Sequence, residues 1–231
     1  MLAGLLRWSR TLAVHAALDA ESYLYSTLLG GTEFRAWLDR RGPRPLPAVV
    51  AEPVRTDREG GELRVRLDLP ERRNAYGRQM RDAPRGGAGR RAAGPVGGKG
   101  GPHRFGAGVL LGGDLDEFRT TPDPVTAHLV RTRHGAARPL HALRERVEVR
   151  VHGACVSAGI EHPAFAGRVV AAPGTTFRLP EVAMGLVPGA GGTVSIPRRI
   201  GRHRTLYLAL SGGAFSASTA LSWGLIDAIT R

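Results

Sequence analysis

The chain has 231 residues, 42% hydrophobic and 23% charged, which is enough to bury a core in one domain or in one domain plus an extension. Its formal net charge of +13 raises nucleic acid as a partner, but the arginines are scattered and aromatic residues make up only 6% of the chain. The single cysteine, Cys155, excludes an internal disulfide bond and a cysteine-based metal cluster.

The N-terminal region is predicted to be helical, because apolar residues recur at helical spacing between positions 5 and 40. The Gly30-Gly31 pair divides this stretch into two helices, and Thr32 is placed to cap the second. Residues 41 to 53 contain four prolines and predict a linker. We therefore separate a helical extension with a proline-rich linker, residues 1 to 52, from a domain that spans residues 53 to 231.

The domain begins with a strand, because residues 62 to 69 alternate polar and apolar side chains. A turn at residues 70 to 75 leads into a helix that begins near Tyr76. From residue 84 to residue 108 the chain consists almost entirely of Gly, Ala, Arg and Pro and has neither helical nor strand periodicity. That composition predicts flexibility, and so long a structureless segment is unusual inside a compact domain.

The second half of the chain alternates helices and strands. The pattern predicts helices at 125–143, 157–167, 200–210 and 216–224, and strands at 147–151, 168–172 and 225–227. Residues 175 to 192 form a loop rich in Gly and Pro. This alternation favours an α/β fold.

Two acidic residues lie in unusual surroundings. Glu161 lies in the first turn of a helix that follows a run of small residues, where several backbone N–H groups point outward and favour negative charge. Glu181 follows Pro180 in an apolar, Gly-rich run, which makes it a candidate for burial and a raised pKa. Taken singly, each acid is as well explained by an ordinary solvated surface position.

Taken together, the two runs resemble the signature of the enoyl-CoA hydratase/isomerase (crotonase) family. Pro180-Glu181 follows Glu161 by about twenty residues, and residues 185–193 then read Gly-Leu-x-Pro-Gly-Ala-Gly-Gly-Thr. The resemblance continues at residues 67–75, 112–118, 199–201, 208–212 and 220–226, so that it covers roughly residues 53 to 231. It implies an α/β fold of the crotonase-like (ClpP/crotonase) type, a spiral of ββα units.

The resemblance also implies a role for particular residues. The backbone N–H groups of Gly113 and Ala158 correspond to an oxyanion hole for the thioester oxygen. Glu161 and Glu181 correspond to the two catalytic acids, one of which takes a proton from water while the other gives one to the α-carbon. The positions that correspond to substrate-binding residues are Asp114, Leu115 and Gly189.

The family's chemistry implies an acyl-CoA or enoyl-CoA substrate that itself carries coenzyme A, so no separate cofactor is expected. A homo-oligomer, a trimer or a hexamer, is expected as well. Family members with only the second acid tend to be isomerases, so the presence of both favours hydration of a 2-enoyl-CoA. The alternatives are an enoyl-CoA isomerase, a non-catalytic homologue with a damaged site, and a basic protein associated with nucleic acid, a partner that we do not expect.

The sequence departs from the family pattern in several places. Ala158 stands where Gly is commoner, and His162 stands where an apolar residue is expected; it would pair with a carboxylate or lie on the surface. Residues 83–107 lack the family's helix and hydrophobic strand, and our hypothesis for this difference is two compensating frameshifts in the gene or in its sequencing. A core strand should then be missing or replaced, and the Gly113 turn should lose its support. We expect this chain to lack the family's C-terminal helices, and the N-terminal helices to replace part of that cover or to mediate another contact.

Further sequence features bear on metals and location. The eight histidines show no metal-ligand spacing, so no metal site is expected. The N-terminus lacks the apolar core and cleavage site of a signal peptide, and no apolar run is long enough to span a bilayer. We therefore expect a cytoplasmic protein without a membrane partner.

Overall fold

The computed structural model describes residues 1–59, 62–83, 103–106, 112–118 and 120–230. Most of the segment 83–107, to which the frameshift hypothesis applies, therefore lies outside the described residues. The chain opens with α1 (Leu2–Ser9), α2 (Val14–Leu29) and α3 (Thr32–Arg41). The break at Gly30-Gly31 is as predicted, but the cap of α3 is Gly31 and the Thr32 hydroxyl donates to Glu33 Oε2 over 3.1 Å instead.

A six-stranded sheet forms the centre of the fold. Its spatial order is β1-β2-β3-β4-β6-β9, in which β1 and β2 are antiparallel and every later pair is parallel. A smaller sheet has the order β5-β7-β8. The strands are β1 (Val54–Glu59), β2 (Glu62–Leu67), β3 (His103–Gly106), β4 (Val147–Val151), β5 (Ala154–Val156), β6 (Arg168–Ala171), β7 (Thr176–Arg178), β8 (Phe215–Ser216) and β9 (Ala228–Ile229).

Strand β3 lies within the segment whose composition predicted no strand. Its backbone pairs in parallel with β2 on one side and with β4 on the other, with Phe105 opposite both Val65 and Val149. The prediction that residues 84–108 contain no strand is therefore wrong for residues 103–106. Periodicity gave no signal because residues 103–106 read His-Arg-Phe-Gly, with one large apolar residue and no alternation of polar and apolar side chains.

The remaining helices connect and cover the two sheets. They are α4 (Arg78–Asp82), α5 (Pro124–His134), α6 (Ala137–Ala142), α7 (Ala158–Glu161), α8 (Gly192–Ile200), α9 (Arg202–Ser211) and α10 (Ala217–Trp223). Gly135 divides the predicted helix 125–143 into α5 and α6. The predicted helix 157–167 consists of α7 and a 3-10 turn at Pro163–Phe165, and the last strand lies at 228–229 rather than 225–227. Helix α8 was not predicted.

The N-terminal helices are part of the main core. Leu2 and Leu6 of α1 belong to the same buried apolar cluster as Val149 of β4 and Val169 of β6. Phe34 of α3 packs with Met184 and Leu186 in a second cluster. Burial of such side chains stabilises the fold by about 1.5–3 kcal/mol each, so α1 and α3 are held by the hydrophobic effect against residues that lie 143 to 167 positions later.

Candidate functional site

The predicted site residues line one cavity of about 240 Å³ between α2, the Gly112-Gly113 turn, α7 and the loop that precedes α8. All seven border it: Gly113, Asp114, Leu115, Ala158, Glu161, Glu181 and Gly189. The structure therefore brings together residues that are up to 76 positions apart, since Gly113 and Gly189 face the same space.

The Gly113 turn is held by residues that follow the first strands. Tyr76 donates its N–H to Gly112 O over 2.8 Å and accepts the N–H of Asp114 over 3.3 Å, which is a parallel bridge between Tyr76 and Gly113. In such a bridge the N–H of Gly113 itself points to the opposite side. A Cβ at Gly112, where φ is +56°, would lie 3.0 Å from the Ser157 Cβ. The expectation that this turn loses its support is therefore not met.

Ala158 begins α7, so its N–H has no acceptor within the helix. The preceding Ser157 has φ +51°, which is uncommon for a residue other than glycine and turns the chain from β5 into α7. Ala158 is only 1% exposed and borders the cavity. Two backbone N–H groups, from Gly113 and Ala158, thus border the space in which a carbonyl oxygen would be held; their assignment as an oxyanion hole stays a prediction.

Glu161 is fully buried and strongly hydrogen-bonded. Its Oε2 accepts the N–H groups of Ala190 (2.7 Å) and Gly192 (2.8 Å), and its Oε1 accepts the Ser157 hydroxyl over 3.2 Å. Burial raises the pKa of Glu161 to about 7, and these three donors oppose that rise. A Cβ at Gly192 would lie 2.6 Å from the Glu161 Cγ, so glycine is required there for the carboxylate to reach the backbone.

Glu181 has contrasting surroundings. It begins a 3-10 turn (Glu181–Met184) and is 3% exposed, yet neither of its carboxylate oxygens has a hydrogen-bond partner among the described residues. Burial, together with the nearby charge of Glu161, raises the pKa of Glu181 to about 8, and the neighbouring Ser157 hydroxyl lowers it. The distance and angle of a hydrogen bond are met between the Ser157 hydroxyl and Glu161 Oε1, so we assign this hydrogen bond to Glu161 rather than to Glu181.

A third buried acid, Glu21, was not predicted from the sequence. It comes from α2 and is 2% exposed; its Oε1 accepts the Gly191 N–H (2.7 Å) and its Oε2 accepts the Thr193 N–H (2.9 Å) and hydroxyl (2.7 Å). Burial and the charge of Glu161 raise the pKa of Glu21 to about 8, against the donors on Thr193 and Gly191. The available signal was its helical phase, which places an acid between Leu18 and Tyr25 on one face of α2.

Tyr25 forms the wall of the cavity beside Gly189. Its Cδ2 lies 2.2 Å from the position that a Cβ at Gly189 would take, so the ring packs directly on the glycine. The Arg131 guanidinium lies over the other side of the ring, 4.8 Å from its centroid. Burial raises the pKa of the Tyr25 hydroxyl, which keeps it protonated.

His162 takes neither of the two positions expected from the sequence. It is 7% exposed and packs edge-on against Tyr76, with ring centroids 4.5 Å apart. Burial lowers its pKa to about 4, so the imidazole is neutral near pH 7. The structure gives it no ion pair with a carboxylate among the described residues, and it is not on the surface.

Asp114 and Leu115 border the cavity but have partners of their own. Asp114 accepts two hydrogen bonds from the Arg72 guanidinium and one from the Asp116 N–H, which caps the 3-10 turn at 115–117. Leu115 packs with the cluster around Phe34. The observed contacts of Asp114 hold the chain next to Gly113, and its role in substrate binding stays a prediction.

Among the residues that the structure describes, no group of three His, Cys, Asp or Glu side chains is placed to hold a metal ion. No helix in the described part of the chain has the length and apolar character needed to cross a membrane.

Comparisons with known proteins agree on one family. The family described as enoyl-CoA hydratase/isomerase matches residues 111–231. Among solved structures, the chain is similar to the enoyl-CoA hydratase from Thermoplasma volcanium GSS1, with 24% identity over 78% of this chain and 72% of that chain and a TM-score of 0.68.

Two further structures give the same result. The enoyl-CoA hydratase of Mycobacterium smegmatis is 23% identical over 78% of this chain and 70% of that chain, with a TM-score of 0.65. A protein assigned to the enoyl-CoA hydratase/isomerase family from Hyphomonas neptunium is 28% identical over 78% of this chain and 70% of that chain, with a TM-score of 0.64. The crotonase-like fold expected from the sequence is thereby confirmed.

Proposed function

Because the chain belongs to the enoyl-CoA hydratase/isomerase family, whose chemistry is that of acyl-CoA thioesters, we propose that it adds water across the double bond of a 2-enoyl-CoA. The observation that carries this proposal is the pair of buried acids, Glu161 and Glu181, on one cavity with the N–H groups of Gly113 and Ala158. A single acid suffices to move one proton, whereas hydration needs one group that takes a proton and one that gives a proton.

The surroundings of the two acids divide these roles. Glu161 accepts three hydrogen bonds, which favour its charged form, so it is the base that takes a proton from water. Glu181 is buried and has no hydrogen-bond partner among the described residues, which favours its protonated form. It is therefore the acid that gives a proton to the α-carbon.

The proposed step proceeds through an enolate. As Glu161 removes a proton from water, the water oxygen bonds to the β-carbon and the double-bond electrons move towards the thioester oxygen. The N–H groups of Gly113 and Ala158 stabilise the negative charge on that oxygen, an effect that is typically the largest in such reactions. The enolate then takes the Glu181 proton at the α-carbon, and the product is the 3-hydroxyacyl-CoA.

The coenzyme A part of the substrate is proposed to bind at the basic rim of the cavity. Arg78 and Arg81 border the cavity; Arg78 is exposed, whereas Arg81 is paired with Asp82 at 2.7 Å, so Arg78 is the cation that suits the phosphates of coenzyme A. No further cofactor is required by this chemistry. A homo-oligomer, cytoplasmic location and a role in fatty acid metabolism are proposed on the family likeness alone.

The test is an absorbance assay that follows loss of the enoyl-thioester chromophore with 2-enoyl-CoA substrates of several chain lengths. We expect turnover by the wild type and a fall in kcat of roughly 10²- to 10⁴-fold in Glu161→Gln and in Glu181→Gln. Glu145→Gln is the matched control, because the Glu145 side chain is 83% exposed. A folded wild type without turnover at any chain length would contradict the proposal, and conversion of 3-enoyl-CoA alone would establish the isomerase alternative.

A further inference from the structure

Helix α2 contributes a buried acid to the site of the two proposed catalytic acids, Glu161 and Glu181. Glu21 is 2% exposed, and its carboxylate makes three hydrogen bonds, all to the residues that begin α8. The proposed hydration does not use this residue. A buried carboxylate is costly unless its charge is stabilised or neutralised, so its position next to two further buried acids requires an explanation.

The backbone N–H groups at the start of α8, from the two residues before the helix and its first two residues, donate to two different carboxylates. The N–H groups of Ala190 and Gly192 donate to Glu161, whereas those of Gly191 and Thr193 donate to Glu21. Four consecutive N–H groups thus alternate between an acid from α7 and an acid from α2. Neither acid can move along the turn without disturbing the donors of the other.

The end of α1 and the loop that leads into α2 are fixed to α8 by further contacts. The Arg198 guanidinium of α8 donates to Leu12 O (3.1 Å) and Ser9 O (3.4 Å), and the Ser9 hydroxyl donates to Thr193 O over 3.1 Å. Tyr25, one helical turn after Glu21, packs on Gly189. The position of Glu21 is therefore defined by packing on both sides of it.

We propose that Glu21 is a positioning residue of the catalytic acid pair, which holds the first turn of α8 for Glu161 and links the protonation of Glu161 and Glu181 to α2. Its catalytic consequence rests on the proposed hydration, whereas the linkage between the acids does not. The ionisable groups that face Glu21 are Glu161 from α7, Glu181 from its 3-10 turn, Tyr25 from α2 and Arg131 from α5. Asp19 and Arg138 pair with each other nearby.

The linkage is tested by carbon-detected NMR titration of the side-chain carboxyl groups, which needs no turnover. In Glu21→Gln a carboxylate that helps to raise the pKa of Glu181 is removed, so we expect the apparent pKa of Glu181 to fall by up to roughly one unit. Glu161 ionises at lower pH than Glu21, so its apparent pKa should change little. In Glu145→Gln, at an exposed position, both values should stay as in the wild type. An unchanged pKa of Glu181 in a folded Glu21→Gln protein would overturn the proposal and leave Glu21 as a structural cap alone.

A second variant keeps the test decisive where Glu21→Gln does not fold. Glu21→Asp retains the carboxylate on a side chain that is one methylene shorter. We therefore expect Glu161 and Glu181 to keep their raised pKa values, while one of the hydrogen bonds from Gly191 and Thr193 to residue 21 is lost. Values that fall in Glu21→Asp would contradict a linkage through charge. If the wild type turns over 2-enoyl-CoA, the basic limb of kcat against pH, where Glu181 loses its proton, should shift to lower pH in Glu21→Gln with little change in KM. Absence of turnover refutes the proposed function and leaves the titration valid.

Discussion

The contact between Tyr25 and Gly189 determines how closely α2 approaches the Gly-rich loop. The ring atom Cδ2 would lie 2.2 Å from a Cβ at position 189, and Cε2 would lie 2.3 Å from it. Both distances are well below van der Waals contact, which is about 3.5–4.0 Å between carbon atoms. Glycine at this position is therefore required by the chain's own tyrosine, besides any approach of a substrate.

Gly189→Ala is expected to destabilise the protein by about 1–3 kcal/mol, because the added methyl displaces the Tyr25 ring. Gly213→Ala is the control, since a Cβ there meets only the Ser211 Oγ at 3.9 Å. Urea denaturation measures both free energies of unfolding. Adding Tyr25→Leu to Gly189→Ala should recover part of the loss, and equal losses in the two alanine variants would contradict the contact.

At the scale of residues, the sequence indicated Glu161 and Glu181 because each lies in a recognisable local run. Its only mark on Glu21 was a place on one face of α2, because the partners Gly191 and Thr193 lie about 170 positions later and became neighbours only through folding. The opposite surroundings of the two predicted acids were equally invisible. They depend on which backbone N–H groups reach each carboxylate.

Helix α8 contains a proline and still continues for a further turn. Pro197 has no N–H, so the carbonyl of Thr193, four positions earlier, receives no helical hydrogen bond. The Ser9 hydroxyl of α1 donates to that carbonyl over 3.1 Å, and Ser9 is 1% exposed. One helix thus satisfies the acceptor that the proline leaves free in another.

Ser9→Ala should cost about 1–3 kcal/mol of stability, because it leaves a buried carbonyl without a donor. In a Pro197→Ala background an N–H is restored to the helix, so the same serine substitution should cost much less. The four free energies of unfolding form a double-mutant cycle. A cost of Ser9→Ala that is equal in the two backgrounds would show that the hydroxyl does not serve this carbonyl.

The elements that the sequence predicted well are those with a local signal. Gly30-Gly31 ends α2, and the alternation of residues 62 to 69 marks β2. Helix α8 was missed because its glycine start and Pro197 resemble a loop, and it is stabilised by contacts from α1 and α2 that no local pattern contains. The same applies to β3, which is specified by its neighbours on both sides.

At the scale of the whole molecule, buried ionisable groups make stability depend on pH. The pKa values of Glu21, Glu161 and Glu181 are raised by burial to about 8, 7 and 8. A carboxyl group whose pKa is raised in the folded state contributes stability that is complete below its pKa in the unfolded chain, about 4.5. That contribution is lost as the pH rises through its pKa in the folded state. The pKa of His162 is lowered to about 4, so its contribution is lost as pH falls below about 6.5.

Between pH 6.5 and 8 the acids therefore dominate, and the free energy of unfolding should fall as pH rises. Each proton that the folded state retains and the unfolded state lacks corresponds to about 1.4 kcal/mol per pH unit. Urea denaturation at a series of pH values measures the slope. Glu161→Gln and Glu181→Gln should each reduce this slope, and Glu145→Gln should leave it unchanged. A slope of zero in the wild type would contradict the prediction.

The overall fold class was predictable, since the alternation of strands and helices indicated α/β and the matched motifs indicated the crotonase-like arrangement that the comparisons confirm. The place of the N-terminal helices was not. Leu6, Ser9 and Phe34 carry no sequence mark that assigns them to the core of the later domain, although they are buried in it.

The burial of α1 against α8 has a consequence for how the chain is made. During synthesis α1 to α3 leave the ribosome first, whereas Thr193, the partner of Ser9, follows 184 residues later. At about 5–20 residues per second the apolar faces of these helices wait on the order of ten seconds or more for their partners. Contacts so distant in sequence also slow folding, so the apolar faces of these helices stay exposed to solvent for longer than those of a fold built from local contacts.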